Sequence, residues 1–242
     1  MKEVRSKPAP PRRFATARWW LVRLLGAWLV LTVVPVVLLR WVDPPTSAFM
    51  AQRRLEAAEK NEKGFVLKQQ WVPRSRISGH LVRALVAAED HRFNEHHGFD
   101  WDAMSSALED RIEGKSKRGG STLTQQVAKN LFLWPGRNVV RKALEAYFTV
   151  LLEAFWSKQR IIEVHLNVAE YGNGVYGVEM ACRQYFGKSA AAVSPEEAAR
   201  LVVVLPAPKS RKVNAPTPRM REKAEWVLEQ MDRLRPDQVK DL

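Results

Sequence analysis

Apolar and polar positions along the chain predict one long apolar helix followed by a mainly helical domain. Residues 19–42, WWLVRLLGAWLVLTVVPVVLLRWV, carry charge only at Arg23 and Arg40, near the two ends. About 20 apolar residues let a helix cross the hydrocarbon core, and arginines near its ends can extend to the interface. Tryptophans flank the segment, as is common at membrane interfaces. It therefore predicts an uncleaved transmembrane anchor rather than a signal peptide, whose apolar region is only about 7–15 residues long.

Beyond the anchor, the periodicity is almost entirely helical. Residues 49–63 form a charged helix-forming stretch, and residues 65–72 predict one short strand. From Ser78 onwards apolar positions recur three and four residues apart, which is typical of amphipathic helices. The residues predicted to cap these helices are Asp100, Ser121, Ser157, Ser194 and Thr217. No alternating series of strands follows, so we expect a mainly α fold.

Charge adds an orientation and a class of partner. The 242 residues include 39 Lys and Arg against 26 Asp and Glu, a net charge of +13, which predicts an anionic partner such as a lipid surface, a nucleic acid or a charged substrate. Residues 1–18 are strongly basic and should stay cytoplasmic. Residues 43–242 should then lie on the far side of the membrane, where no nucleic acid is present. A single cysteine, Cys182, excludes an internal disulfide framework and a Cys-rich zinc module.

The stretch AAEDHRFNEHHGFDW, residues 87–101, concentrates carboxylates and three histidines around one aromatic residue, Phe93. Such a cluster fits a metal site, an acid–base site or a polar surface loop. None of the histidines is followed directly by glutamate, so the H-E-x-x-H zinc pattern is absent. A His/Asp metal site built across loops remains an alternative to acid–base chemistry.

A glycine-rich segment and a basic group follow this stretch. In RGGSTLTQQ, residues 118–126, the glycines lead into a helix start, where free N–H groups can bind an anion; a hinge before a polar helix face is the alternative. The basic group, which suits a pyrophosphate or else a solvated face, comprises Lys129, Arg137, Arg141 and Lys142. Glu145 would be either half of a surface ion pair with Lys142 or a second carboxylate to go with Glu89, since two carboxylates in different electrostatic settings are usual for chemistry at a sugar's anomeric centre.

Five segments in order resemble the motifs of the peptidoglycan glycosyltransferases, which occur as the transglycosylase module of class A penicillin-binding proteins and as monofunctional enzymes. The segments, spread over residues 60–210, are EDHRFNEHHG from Glu89, GGSTLTQQ from Gly119, RKALE from Arg141, KQRIIEVHLN from Lys158 and YFGK from Tyr185. They match E-D-x-x-F-x-x-H-x-G, G-G-S-T-x-T-Q-Q, R-K-x-x-E, K-x-x-I-L-E-x-Y-L-N and Y-F-G-K. Ile162 replaces leucine and His165 replaces tyrosine in the fourth motif.

The resemblance implies a lysozyme-like, mostly helical glycosyltransferase domain and roles for the motif residues. Glu89 would be the general base that takes the proton of the acceptor 4-hydroxyl, and Glu145 the second essential glutamate. Lys129 and Arg137 would bind the donor pyrophosphate. The remaining residues expected to bind substrate or line its groove are Ser121, Gln125, Gln126, Arg141, Lys142, Asp90 and His96, with His96 acting mainly as a hydrogen-bonding scaffold.

The resemblance also implies partners and a location. Lipid II, a lipid-linked glycan strand and membrane lipid would be bound, with cell-wall synthesis or division proteins as further partners and no nucleic acid. A divalent cation, Mg or Mn, at the diphosphate is allowed but not required. The protein would be a single-pass inner-membrane protein with a periplasmic catalytic domain. No serine is followed by lysine three residues later, so we expect no transpeptidase activity. A glycan-cleaving enzyme and a non-catalytic membrane adaptor are the competing interpretations.

Overall fold

The computed structural model describes residues 12–114, 120–136 and 138–242, and these residues are mainly helical, as predicted. The longer helices are α1 (Arg12–Leu38), α2 (Ala48–Glu59), α3 (Gly79–Glu89), α4 (Trp101–Ile112), α5 (Leu123–Phe132), α6 (Val139–Phe155), α7 (Lys158–Val168), α8 (Val178–Phe186), α9 (Pro195–Val202) and α10 (Pro218–Arg233). A short helix, α11 (Pro236–Val239), follows, and a 3-10 turn spans Arg74–Arg76. The strands are β1 (Lys68–Gln69), β2 (Glu170–Gly172) and β3 (Val175–Tyr176).

Helix α1 contains the predicted anchor but ends earlier than expected. Its stretch Arg18–Leu38 is long and apolar enough to cross a membrane. The last residues of the predicted segment 19–42 instead form a turn. Arg160 stabilises this turn, because its guanidinium group donates hydrogen bonds to the carbonyl groups of Leu39 and Val42 at distances of 2.9 to 3.2 Å. The exit from the anchor is thereby attached to α7.

The core is built where α3, α5, α7 and α9 pack together. Their apolar faces place Leu85, Leu123, Ile161 and Leu201 out of contact with solvent. α5 packs on both α6 and α7, and α3 packs on α9 and α10. This arrangement brings the end of α3 next to the middle of α5 and the end of α7, where the motif residues lie.

The small sheet is where the sequence-based prediction is least accurate. The predicted strand 65–72 shrinks to two residues, and β2 and β3 were not predicted at all. β3 lies in the centre, parallel to β1 and antiparallel to β2. Strands of two or three residues are too short to show an alternating pattern, so periodicity could not reveal them. Helix 49–63 also ends early, at Glu59, before Asn61 adopts a left-handed conformation with φ of 49°.

Four of the five predicted caps are confirmed. Each side chain accepts a hydrogen bond from a backbone N–H group in the first turn of its helix, and the four residues are Asp100, Ser157, Ser194 and Thr217. Ser194 and Glu197 form a reciprocal capping box at the start of α9. The fifth predicted cap, Ser121, is wrong, because Thr122 caps α5.

Candidate active site

Glu89 is the last residue of α3, at the end of a buried apolar helix face. Its partly buried side chain accepts a hydrogen bond of 2.8 Å at Oε2 from Nε2 of Gln126. Burial raises the pKa of Glu89 above its usual value, while Gln126 and the cations Lys223, Lys129 and Arg211 oppose the increase. A carboxylate with a raised pKa holds a proton more strongly, which suits a general base working near neutral pH.

The loop after Glu89 is organised by a buried aspartate–histidine pair. Nε2 of His96 lies 2.9 Å from Oδ1 of Asp90, and Nδ1 of His96 accepts a hydrogen bond of 3.2 Å from Gly98 N–H. Oδ2 of Asp90 accepts a hydrogen bond of 2.9 Å from the backbone N–H of Leu123, at the start of α5. The pair therefore fixes the loop against α5, in the scaffold role expected for His96. Whether Asp90 or His96 also contacts substrate stays a prediction.

The metal-site alternative does not fit this geometry. Asp90, His96 and Asp100 are the group of described residues whose ligand atoms lie close enough to share an ion. Both ring nitrogens of His96 are already hydrogen bonded. Oδ1 of Asp100 accepts a hydrogen bond from the N–H group of Ala103 as the cap of α4. Asp90 and His96 thus satisfy each other and the backbone, and Asp100 is also bound by Arg92, so the polar atoms of the group have partners within the protein.

The start of α5 corrects the prediction of its cap. Thr122, not Ser121, caps this helix: its Oγ1 accepts from Gln125 N–H at 3.3 Å, and Oε1 of Gln125 accepts from Thr122 N–H at 2.9 Å. A capping box needs Glu or Gln three residues after the cap, whereas the residue three positions after Ser121 is Thr124. Gln125 is therefore buried within the box, and its expected contact with substrate stays a prediction. The pattern T-x-x-Q in the sequence could have identified the correct cap.

Gln126 and Lys129 lie one turn apart on α5 and line a cavity of about 420 Å³. The cavity is bounded by α2, α5, α7 and residues 205–210. Burial lowers the pKa of Lys129, while Glu145 and Glu89 oppose the decrease. Among the described residues, none accepts a hydrogen bond from its ammonium group, which lies 5.7 Å from the ring centroid of Phe49. A desolvated cation of this kind is a strong binding group for an anion.

A second cationic group surrounds Glu145 at the start of α6. Glu145 is only 2% exposed; its Oε2 lies 2.7 Å from Nη1 of Arg141, and its Oε1 accepts a hydrogen bond from Lys142. Nζ of Lys142 also lies 3.4 Å from Oγ of Ser121. The surface ion-pair alternative for Glu145 is therefore wrong, because the carboxylate is buried and holds two cations. Arg137, the other predicted pyrophosphate ligand, lies outside the described residues, as do residues 118 and 119 of the glycine-rich segment.

Some contributors to the site were not predicted. Nε2 of His165 lies 3.0 Å from Oε1 of Gln126, which connects α7 to the residue that binds Glu89. Asn130 and residues 205–210 line the cavity. Neither carries a catalytic pattern, so the sequence offers no signal for them. The motif asparagine Asn167 has a structural role, since its side chain hydrogen bonds to both the N–H and the carbonyl group of Val72 at 2.9 Å.

Comparison with known proteins agrees with these motifs. The family model described as Transglycosylase matches residues 57–232. A biosynthetic peptidoglycan transglycosylase of Xanthomonas axonopodis pv. citri is 48% identical over 229 residues, which cover 93% of this chain and 92% of the relative. Proteins of the same name from Shewanella amazonensis and Xylella fastidiosa are 45% and 46% identical, covering 92% and 90% of this chain and 90% and 91% of their own lengths. The chain therefore belongs to the transglycosylase family.

Proposed function

We propose that this peptidoglycan transglycosylase transfers the growing lipid-diphosphate-linked glycan onto the 4-hydroxyl group of lipid II, with inversion at the anomeric carbon and release of undecaprenyl diphosphate. The names of the relatives support glycan-strand synthesis as the reaction class. One observation gives the detailed reaction its main support: a buried carboxyl group, Glu89, and a buried ammonium group, Lys129, lie at the same site. No described residue accepts a hydrogen bond from that ammonium group.

Glu89 would act on the acceptor. A sugar hydroxyl group has too high a pKa to attack unaided, so a base within hydrogen-bond reach must take its proton. As the acceptor oxygen bonds to the anomeric carbon, the bond from that carbon to the diphosphate oxygen breaks. The proton passes to the Glu89 carboxylate, and the electron pair of the broken bond passes to the diphosphate. Gln126, which donates to Oε2 of Glu89, holds the base in place.

The cations would act on the donor. The leaving diphosphate gains negative charge in the transition state, and fixed cations stabilise charge that develops there. Among the described residues, Lys129 would do so from the cavity. Glu145 holds Arg141 and Lys142 as further cations. Arg137 is included on the resemblance alone. An enzyme that hydrolyses a neutral glycosidic bond has no leaving diphosphate to stabilise, so this arrangement favours synthesis over cleavage.

A protein-held divalent cation does not fit the described carboxylates. Mg and Mn prefer several oxygen ligands. Both oxygens of Glu145 are bound by Arg141 and Lys142, and Glu89 accepts from Gln126. Neutralisation of the diphosphate by the protein would therefore depend on ammonium and guanidinium groups. A divalent cation, Mg or Mn, at the diphosphate therefore stays an untested possibility rather than an expected requirement, and activity measured with and without EDTA would test it.

The proposed location follows from α1, whose apolar stretch suggests a single-pass membrane anchor. We place the protein in the inner membrane, with a cytoplasmic N-terminus and a periplasmic catalytic domain, because the basic residues precede the anchor. Lipid II, the glycan strand and membrane lipid are the proposed partners. Other cell-wall synthesis or division proteins remain expected partners. Nucleic acid is not an expected partner.

A synthesis assay with a charge-removing variant tests the proposal. Purified protein in detergent is given fluorescent lipid-linked disaccharide, and glycan products are separated by gel electrophoresis. Lys129→Ala should reduce polymer formation by about 100-fold or more, in line with the loss of a preorganised transition-state charge. The exposed residue Lys60 provides a matched control, and Lys60→Ala should polymerise normally. Normal polymerisation by Lys129→Ala, or glycan shortening by the wild type, would refute the proposed role of the cation.

A further inference from the structure

A chain of hydrogen bonds links α7 to the proposed base through Gln126. His165 is 1% exposed, and its Nε2 lies 3.0 Å from Oε1 of Gln126. The other end of the same amide donates from its Nε2 to Oε2 of Glu89 at 2.8 Å. His165 stands where the family motif has tyrosine, so this connection uses a residue in which the chain departs from the pattern.

The chemistry of the three groups fixes the direction of both hydrogen bonds. An ionised Glu89 can only accept, so the NH₂ end of the Gln126 amide must face it. The amide oxygen then faces His165, whose Nε2 must carry the hydrogen atom. Nδ1 of His165 is consequently an acceptor, and it is buried without a hydrogen-bond partner among the described residues.

His165 donates this hydrogen bond as a neutral group. Burial, together with the nearby charge of Lys129, lowers the pKa of His165 to about 3. A second proton would place a buried N–H group at Nδ1 with no acceptor among the described residues, which adds an unsatisfied donor to the cost of the buried charge. The imidazole is therefore neutral, and donates from Nε2, at pH values well above 3.

We propose that His165 is a positioning residue, whose Nε2–H group orients the Gln126 amide so that its NH₂ end supports the ionised base Glu89. This inference rests on the proposed function of Glu89. The two ends of an amide are nearly equal in size, so without a donor at His165 the Gln126 side chain could turn over. Its oxygen would then face the Glu89 carboxylate, which would favour the protonated and inactive form of the base.

The other charged groups around Glu89 come from separate elements. Lys129 faces it from α5, Lys223 from α10 and Arg211 from the segment between α9 and α10. Tyr171 of β2 also lies close, and burial raises its pKa well above the usual value, so it stays uncharged. Substituting His165 changes none of these groups. A shift in the titration of Glu89 therefore reports on the Gln126 amide.

Two amide substitutions form a matched test in the full-length protein. In His165→Gln the side-chain nitrogen can occupy the place of Nε2, whereas in His165→Asn it reaches only the place of Nδ1. We expect His165→Gln to keep the wild-type acid limb in the pH profile of kcat/KM with lipid-linked disaccharide. His165→Asn should shift that limb upward by about one pH unit, which is a tenfold lower rate at a fixed pH on the limb. The plateau at higher pH should change little.

Several outcomes would overturn the inference. The same acid limb in both variants would do so, as would a shifted limb in a folded His165→Gln protein. Gln126→Leu removes the amide altogether and must shift the limb in the same direction as His165→Asn, so the test does not depend on the folding of one variant. Glu89→Gln separates the two levels: an active Glu89→Gln protein refutes the proposed base, whereas an inactive one with equal His165 variants refutes only the positioning role.

Discussion

At the residue scale, Glu89 carries a negative charge where a neutral side chain would be more stable. Burial disfavours its ionised form, and the Gln126 hydrogen bond and surrounding cations offset only part of that penalty. Glu145 is more deeply buried, but two cations pair with its two oxygens. The two carboxylates therefore differ in their surroundings: Glu89 accepts a hydrogen bond from a neutral amide, whereas Glu145 is held by two cations.

The strain on Glu89 predicts a pH-dependent gain in stability for Glu89→Gln. Below the pKa of the unfolded state, about 4.3, the wild-type carboxyl is protonated in both states and suffers no penalty. As the pH rises through the raised folded-state pKa, the wild type loses stability that the neutral glutamine keeps. Thermal unfolding should show a higher Tm for Glu89→Gln at pH 7, by roughly 2–4 °C per kcal/mol, and nearly equal values near pH 4. A lower Tm for the variant at pH 7 would contradict this account of the site.

At the element scale, the start of α5 shows what local sequence can and cannot decide. Residues 121 to 126 contain two candidate caps, and the choice between Ser121 and Thr122 depends on the glutamine three positions later. Oγ1 of Thr122 also donates to the carbonyl group of Gly98 at 2.7 Å, which connects α5 to the loop after Glu89. That second contact is made across the fold, and no local pattern predicts it.

Alanine substitutions should distinguish the two candidate caps. Thr122→Ala removes the cap and the contact with Gly98, so we expect it to lower the free energy of unfolding by about 1–2 kcal/mol. Ser121→Ala is the matched control and should change stability by less than about 0.5 kcal/mol. Denaturant unfolding followed by circular dichroism gives both values. A larger loss for Ser121→Ala than for Thr122→Ala would restore the cap that the sequence suggested.

The short C-terminal helix α11 makes contacts with the loop after Glu89 that the sequence could not predict. Nδ2 of Asn94 donates to the carbonyl groups of Asp237 and Lys240, both at 3.1 Å, and Gln238 donates to the carbonyl of His91 at 2.9 Å. These partners are 143 to 147 residues apart in sequence, and α11 lies beyond the family match, which ends at residue 232. The loop after Glu89 is thus supported by a segment that no motif indicates.

At the scale of the whole molecule, the anchor is attached to the domain by specific contacts. Thr32 and Tyr147 share a hydrogen bond of 2.8 Å, and Nε1 of Trp156 donates to the carbonyl group of Val36 at 2.7 Å. The helical class and the single apolar span were predictable, because both depend on periodicity and length. The docking of the span on α6 was not, since Thr32 and Tyr147 belong to no shared pattern.

The orientation of the anchor can be tested by cysteine labelling. Cys182 is fully buried, so a second cysteine can be labelled selectively. Ser210→Cys places a thiol on the exposed surface of the domain, and Ser6→Cys places one in the basic tail. In cells with a permeabilised outer membrane, an impermeant maleimide should label Ser210→Cys but not Ser6→Cys. The reverse pattern would contradict a cytoplasmic N-terminus.

The central claim is that Glu89 is the base for glycan polymerisation, and its direct test is polymer formation by Glu89→Gln from fluorescent lipid-linked disaccharide. Loss of a general base typically lowers a rate by about 10²–10⁴-fold, so we predict polymer from the wild type and little or none from the variant. Glu59→Gln, at an exposed position in α2, is the control and should polymerise normally. Polymerisation by Glu89→Gln at the wild-type rate would contradict the account.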